Sequence, residues 1–360
     1  MTNHAPAEIT AFVTASGSRP SDSLSDDTLR DMYWMMLLSR RLDERAWILH
    51  RQGRIAFHIS GMGHEACQVG AGFAINRGVD YVHPYYRDLA LVLTVGFPPE
   101  GFMLSLLGKA GEPSSGARQM PSHFSAKWLN ILSHSSPVAT QVPQAAGLAF
   151  AIQYKISHGL QDPHDDTQPR LALTCLGEGS TSQGEWHEGM NWAGVHKLPF
   201  ICLVQNNIYA ISVPVERQMA VNDVADRAAA YGVEGLVVDG NDILACYDVM
   251  SYARDKAYAG DGATLIEAKT YRPVPHSSDD DDRSYRTRDE VEQWKKKDPI
   301  SRFQKVLLDR GVLTQNAIND LEAKAKSVVD SAQHAAEDAP YPDVEPNLDP
   351  RSVYAPGDFA

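Results

Sequence analysis

The chain has 360 residues, 43% of them hydrophobic and 22% charged, the balance of a soluble globular protein with one large domain or two modest ones. A formal net charge of −13 excludes the basic surface that a nucleic-acid or anionic-membrane partner requires, so neither partner is expected. Cys67, Cys175, Cys202 and Cys246 are scattered without a CxxC pair and read as free core thiols, which fits a reducing cytoplasm.

Residues 1–24 are small and polar and predict a flexible N-terminal arm without the basic start and apolar run of a secretory signal. No stretch reaches the length of a membrane span, and a cytoplasmic location is expected. A helix follows, capped by Ser25 or Asp26, with apolar positions Leu29, Met32, Met36 and Leu37 and a stop at Gly53. A second helical pattern starts near Gly63 (GHEACQVGAGFAI). Residues 108–136 are rich in Gly, Ser and Pro and predict a long loop, a length that compact domains reserve for function or disorder.

From residue 144 helices and strands alternate. Helix QAAGLAFAIQYKIS leads to strand RLALTCLG, and helix EWHEGMNWAGVH to strand FICLVQN. Helix 221–231 precedes strand EGLVVDG, and helix 242–259 precedes strand TLIEAKTY. Near-continuous apolar strands between helices predict an α/β fold, a doubly wound, mostly parallel sheet with helices on both faces. The α/β domain is assigned to residues 25–286, helices packed on the same domain to 287–338, and a Pro-rich tail to 339–360.

Two polar clusters stand at the exits of consecutive strands, where open parallel sheets bind ligands. The first is Gly177, Glu178, Gly179; the second is Asn206 and Asn207, followed by Tyr209. A carboxylate, a carboxamide oxygen and a backbone carbonyl are hard oxygen ligands suited to Mg²⁺ shared with a cofactor phosphate. Alone, Gly-Glu-Gly is a turn and Asn-Asn a strand stop; together, in this order, they favour a magnesium–diphosphate site. A nicotinamide site fits poorly, since Ser182 replaces the third glycine of GxGxxG and amides end the next strand.

At these residues the chain resembles thiamine diphosphate enzymes, whose Gly-Asp/Glu-Gly triplet is followed, one helix and one strand later, by Asn-Asn; here it reads GEGSTSQGEWHEGMNWAGVHKLPFICLVQNN. From about residue 28 to the tail it is similar to the alpha subunit of the decarboxylating component of 2-oxo acid dehydrogenase complexes, branched-chain type. The resemblance implies Mg²⁺ on Glu178, Asn207 and the Tyr209 carbonyl, a cofactor turn at Gly177, Glu178, Gly179 and Ser180, and a structural role for Asn206. It places Tyr86 and Arg87 (HPYYRDLA) on the diphosphate and Ser136, Pro137 and Val138 around the aminopyrimidine ring. A K⁺ site at Ser135, Pro137, Thr140 and Gln141 is implied by the branched-chain members. The stretch TYRPVPHSSDDDDRSYRT (270–287) matches a mobile loop with a catalytic histidine at His276, loop support from Arg272, Tyr285 and Arg286, and a serine phosphorylated in some relatives at Ser277. A loop histidine titrates near neutral pH by default, and the aspartate run reads as a solvated, flexible segment.

The implied activity is oxidative decarboxylation of a 2-oxo acid, with transfer of the acyl group to a lipoyl group on a partner acyltransferase. In the family a beta subunit supplies the glutamate that activates the aminopyrimidine ring. This chain is therefore expected to be incomplete alone and to form an alpha2-beta2 heterotetramer. The segments RQGRIAFHISGMGHEA and GARQMPSHFSAK favour branched-chain acids, with Phe57 as a candidate pocket wall. Gln205 stands where branched-chain relatives often carry Arg, which points toward pyruvate and implies a diphosphate contact weakened or supplied elsewhere. Pyruvate or acetoin as substrate, a non-catalytic subunit and a nicotinamide oxidoreductase are the alternatives.

Overall fold

The computed structural model describes residues 17–160 and 168–343. Helix α1 (Asp26–Arg51) begins where the Ser25 hydroxyl accepts the Thr28 amide at 3.1 Å, so Ser25 is the cap. Then come α2 (Glu65–Ala74), β1 (Tyr81–His83), α3 (Leu89–Val95), α4 (Pro99–Leu107), α5 (Gln141–Ser157), β2 (Ala172–Gly177), α6 (Gly184–Val195) and β3 (Phe200–Asn206). After them come β4 (Tyr209–Ala210), β5 (Val213–Pro214), α7 (Val215–Gln218), β6 (Glu234–Asp239), α8 (Ile243–Ala259) and β7 (Thr264–Lys269). Three helices complete the described chain: α9 (Arg288–Lys295), α10 (Pro299–Asp309) and α11 (Gln315–Asp338).

The strands β1-β2-β3-β7-β6 form one sheet in that order, every pair parallel. The period-two alternation sorts the strand side chains between two cores. Leu173, Cys175, Ile201, Leu203, Ile266 and Ala268 face the core built from α1, α2, α3, α4 and α8. Ala172, Leu176, Phe200, Cys202, Val204 and Leu265 face α5 and α6. Each fully buried Leu, Ile or Phe contributes about 1.5–3 kcal/mol, which is why these strands are apolar on both faces. The doubly wound expectation is met.

A third apolar cluster joins Leu29, Met32, Tyr33, Met36 and Leu37 of α1 to Ile300, Phe303 and Leu307 of α10 and Ile318 and Ala325 of α11. Helices α10 and α11 therefore pack on the α/β layers. The four cysteines are buried free thiols. Among the described residues no helix is long and apolar enough to cross a membrane.

The expected arm ends earlier than residue 24. Asp248 of α8 accepts the Ser21 amide at 2.6 Å, the Ser21 hydroxyl at 3.1 Å and Arg19 Nε at 2.6 Å, which docks the segment 19–23. Residues 1–16 of that arm and 344–360 of the expected tail lie outside the described residues. The expected helix 221–231 is a 3-10 helix, Val224–Tyr231. It lies against Gly235 of β6 so closely that an added Cβ there would meet the Ala225 carbonyl at 2.3 Å. The 108–136 loop is ordered: Glu112 accepts the amides of Ser114, Ser115 and Ala117, and Ile131 bridges to Val82 beside β1.

Candidate active site

A cavity of about 390 Å³ opens beyond the carboxyl ends of β2 and β3. Its wall contains Tyr86, Arg87, Ser136, Val138, Gly177, Glu178, Gly179, Ser180, Asn207, Tyr209, Arg272 and His276, so most of the residues singled out in the sequence converge here. Phe57, Ile59, Met120, Val138 and Ile211 form its apolar side. Gly179 permits the close meeting of the β2 exit with β4, since a Cβ there would stand 2.7 Å from that of Ala210.

Glu178 is buried. Its Oε2 accepts the Asn207 amide at 3.1 Å, while Oε1 has no hydrogen-bond partner among the described residues. Burial pushes this carboxyl up, opposed by the Asn207 amide and by Arg272 and Arg87. Arg272 Nη1 stands 3.5 Å from Asn207 Oδ1 and 3.4 Å from the Tyr209 carbonyl, so those two oxygens point to one spot beside Glu178. Asn206 instead turns inward: its Nδ2 donates to Glu267 at 2.6 Å and its Oδ1 accepts the Ile208 amide at 3.0 Å. The two asparagines thus have different surroundings, Asn207 on the cavity wall and Asn206 behind it.

Arg87, by default an exposed residue, is buried. Its Nη1 donates to the Ser60 carbonyl at 2.5 Å and its Nη2 lies 3.4 Å from His276 Nδ1, while Nε has no partner among the described residues. His276 is not poised to titrate near neutrality. Burial first, then Arg87 and Arg272, push its imidazole down to about 3, so it is neutral at pH 7.

The loop around His276 is tightly built. Asp280 Oδ2 accepts the His276 amide at 2.8 Å and the Tyr285 hydroxyl at 2.5 Å. Arg272 donates to Tyr285 at 3.1 Å and to the Ile211 carbonyl at 2.9 Å; Arg286 donates to the Arg272 carbonyl and pairs with Asp282. The aspartate run is thus structural at Asp280 and Asp282, which corrects the expectation of a solvated segment. Ser277 is buried, so a modifying enzyme would reach it only after the loop opens.

Pro137 does not line the cavity. Its carbonyl accepts the hydroxyls of Ser135 at 3.2 Å and Thr140 at 3.1 Å, and Gln141 Oε1, buried nearby in sequence, has no partner among the described residues. Gln205 does not reach the cavity either. Its Nε2 donates to Asp88 at 2.6 Å, and its Oε1 accepts from Gln68 at 2.9 Å and Tyr85 at 3.3 Å.

Residues 33–345 match the family described as "Dehydrogenase E1 component". The chain belongs to this family. It is 47% identical to the "2-oxoisovalerate dehydrogenase subunit alpha" of Bacillus subtilis over 92% of this chain and 97% of that relative. It is 39% identical to the "3-methyl-2-oxobutanoate dehydrogenase subunit alpha" of Mycobacterium tuberculosis over 89% and 82% of the two chains. The "Pyruvate dehydrogenase E1 component subunit alpha" of Staphylococcus aureus is 38% identical over 86% and 78%.

Membership in the E1 family implies thiamine diphosphate as the cofactor. The site's donors fit it. The cavity wall carries two guanidiniums, Arg87 and Arg272, against one carboxylate, Glu178, which suits an anionic ligand in a chain that is acidic overall. The unpartnered Glu178 Oε1 and Arg87 Nε suit a cation and an anion respectively.

Sequence reasoning missed His123. It lines the cavity, bonds Ser136 Oγ through Nε2 at 2.9 Å and stacks on His134 with ring centroids 4.5 Å apart. Its signal was available in the motif GARQMPSHFSAK. The buried Asp43–His58 pair, at 2.7 Å, was also missed; Asp43 holds the Gly61 amide at 2.6 Å and His58 abuts the 276 loop through Ser278. No local pattern marks that pair.

Proposed function

We propose that this E1 chain is the alpha subunit of a dehydrogenase that decarboxylates branched-chain 2-oxo acids such as 3-methyl-2-oxobutanoate. The acyl group passes to a lipoyl group on a partner acyltransferase. The observation that carries the substrate class is the set of apolar side chains Phe57, Ile59, Met120, Val138 and Ile211 that line the same cavity as His276. The names of the Bacillus and Mycobacterium relatives support the same class. Gln205 gives pyruvate no support, because its amide lies outside the cavity.

Bound thiamine diphosphate supplies a nucleophilic carbon and an electron sink for the loss of carbon dioxide. Glu178, Asn207 and the Tyr209 carbonyl would hold Mg²⁺, and Arg87 would meet the diphosphate. Tyr86, Ser136 and Val138 would line the cofactor's site, with Gly177, Gly179 and Ser180 forming the turn at the exit of β2. His276, neutral at pH 7, hydrogen-bonds substrate oxygens and is oriented by Asp280 and Arg87. The cluster of Ser135, Pro137 and Thr140 oxygens, with Gln141 Oε1, supports a K⁺ site. The family implies a beta subunit; an alpha2-beta2 assembly is supported by the apolar groove of Pro143, Phe150 and Trp192 between α5 and α6. Four free thiols support a reducing compartment such as the cytoplasm.

Reconstitution with the beta subunit, thiamine diphosphate and Mg²⁺, followed by acceptor-linked decarboxylation, tests the reading. The branched acid is expected to be preferred over pyruvate. Preference for pyruvate would overturn the substrate class, and turnover of acetoin alone would overturn the reaction.

A further inference from the structure

Glu267 on β7 is fully buried and places its carboxylate between two fully buried apolar neighbours in the strand, Ile266 and Ala268. A buried ion pair gives little net stability compared with packed apolar side chains, so its use needs another account. Its oxygens are met from three sides. Oε1 accepts Asn206 Nδ2 at 2.6 Å and Lys269 Nζ at 2.5 Å, and Oε2 accepts the Ala225 amide at 3.0 Å.

The amide that Glu267 fixes does one further thing. Asn206 Oδ1 accepts the backbone amide of Ile208, two residues on, at 3.0 Å, and the Asn206 carbonyl accepts Thr270 N at 2.8 Å. Ile208 sits at φ +80°, a left-handed conformation that a β-branched side chain adopts only under constraint. Its neighbours on either side are Asn207 and Tyr209. The reversal at Ile208 is what brings Asn207 Oδ1 and the Tyr209 carbonyl within 3.5 Å and 3.4 Å of the same Arg272 nitrogen.

We propose that Glu267 is a positioning residue for the divalent cation: through Asn206 it holds Ile208 left-handed, and the held turn aims the Asn207 and Tyr209 oxygens together into the cavity. The proposal rests on the reading of Glu178, Asn207 and Tyr209 as the cation site. Lys269, which also pairs with Asp223 at 2.5 Å, and the Ala225 amide hold the Glu267 side chain in place.

The test uses the complex of this chain with its beta subunit, stripped of metal, and Mn²⁺ as a probe read by electron paramagnetic resonance in the presence of thiamine diphosphate. Glu267→Gln and, should that variant fold poorly, Asn206→Ala are expected to weaken Mn²⁺ binding by about 10–100-fold, the range for loss of a ligand's supporting partner. Adding Ile208→Gly to either is expected to restore most of the affinity, since glycine takes positive φ without being held. Unchanged affinity in Glu267→Gln, or a loss that Ile208→Gly leaves untouched, would show a purely structural carboxylate and overturn the proposal. Asn207→Ala separates the two readings: if it binds Mn²⁺ as well as the parent, the cation site itself is wrong.

Discussion

Gln205 and Asp88 are joined by a 2.6 Å hydrogen bond in complete burial, behind the cavity wall rather than on it. Asp88 also accepts the Tyr85 amide at 2.9 Å, and its neighbour Arg87 turns the other way, toward His276. Gln205 therefore acts on the support of Tyr85, and through Gln68 on that of the Arg87 backbone. Its carboxamide is fully engaged by Asp88, Gln68 and Tyr85.

Burial raises Asp88 to about 7, against an ordinary 3.8 in the unfolded chain. Below pH 7 the folded protein takes up a proton that the unfolded chain does not, so the strain of the buried carboxylate is greatest above pH 7 and is relieved as pH falls. Asp88→Asn is expected to gain stability over the parent on going from pH 5 to pH 8.5, by about 1.4 kcal/mol for each pH unit over the window between the two pKa values. Thermal melts at both pH values check this. An identical difference in melting temperature at the two would refute it.

Histidines work in the opposite direction. His134 is pushed down to about 3 by burial, and neither ring nitrogen has a partner among the described residues. Below about pH 6.5 the unfolded chain binds a proton there that the folded chain refuses, so stability falls with pH by about 1.4 kcal/mol per unit. His134→Phe keeps a ring against His123 and removes that penalty. Its advantage in melting temperature is expected to grow from pH 7.5 to pH 5.5; a constant or shrinking difference would count against the assignment.

At the proposed cation site, Glu178→Ala and Asn207→Ala would remove ligands rather than their supports. Each is expected to lower Mg²⁺-dependent thiamine diphosphate affinity beyond the roughly 10–100-fold typical of a supporting residue. Calorimetric titration of the assembled enzyme, with and without Mg²⁺, gives the answer. Parental affinity in both variants would remove magnesium from these residues.

For substrate choice, Phe57→Ala enlarges the apolar side of the cavity. The ratio of kcat/KM for 3-methyl-2-oxobutanoate over pyruvate is expected to fall by about 10–200-fold, equivalent to about 1–3 kcal/mol of lost methylene-scale contact. If the ratio holds while both rates drop, Phe57 is core packing and the pocket wall lies elsewhere.

The alternation of apolar strands and amphipathic helices made β2, β3 and β7 legible, because each strand is long and buried on both faces, and the apolar run Leu236–Val238 marked β6 at the sheet edge. β1 has only Tyr81, Val82 and His83 and gains its identity from pairing with β2, a contact no local pattern announces. That Glu178, Asn207 and Tyr209 meet at one cavity was readable from the strand exits. The depression of His276 was not, since it arises from burial beside Arg87 and Arg272, which lie 189 and 4 residues away along the chain. The docking of Ser21 on Asp248 spans 227 residues and left no trace in the composition of the N-terminal segment.

The contact of Arg286 with the Arg272 carbonyl turns the His276 segment into a ring fastened across an interval of 14 residues. With its feet joined, the segment has already given up most of its translational freedom, and only internal torsions remain to be fixed when His276 is presented. Closure entropy rises slowly with ring size, about 0.6 kcal/mol per doubling. Changes of length within the ring should therefore be far better tolerated than loss of the clasp that makes it one.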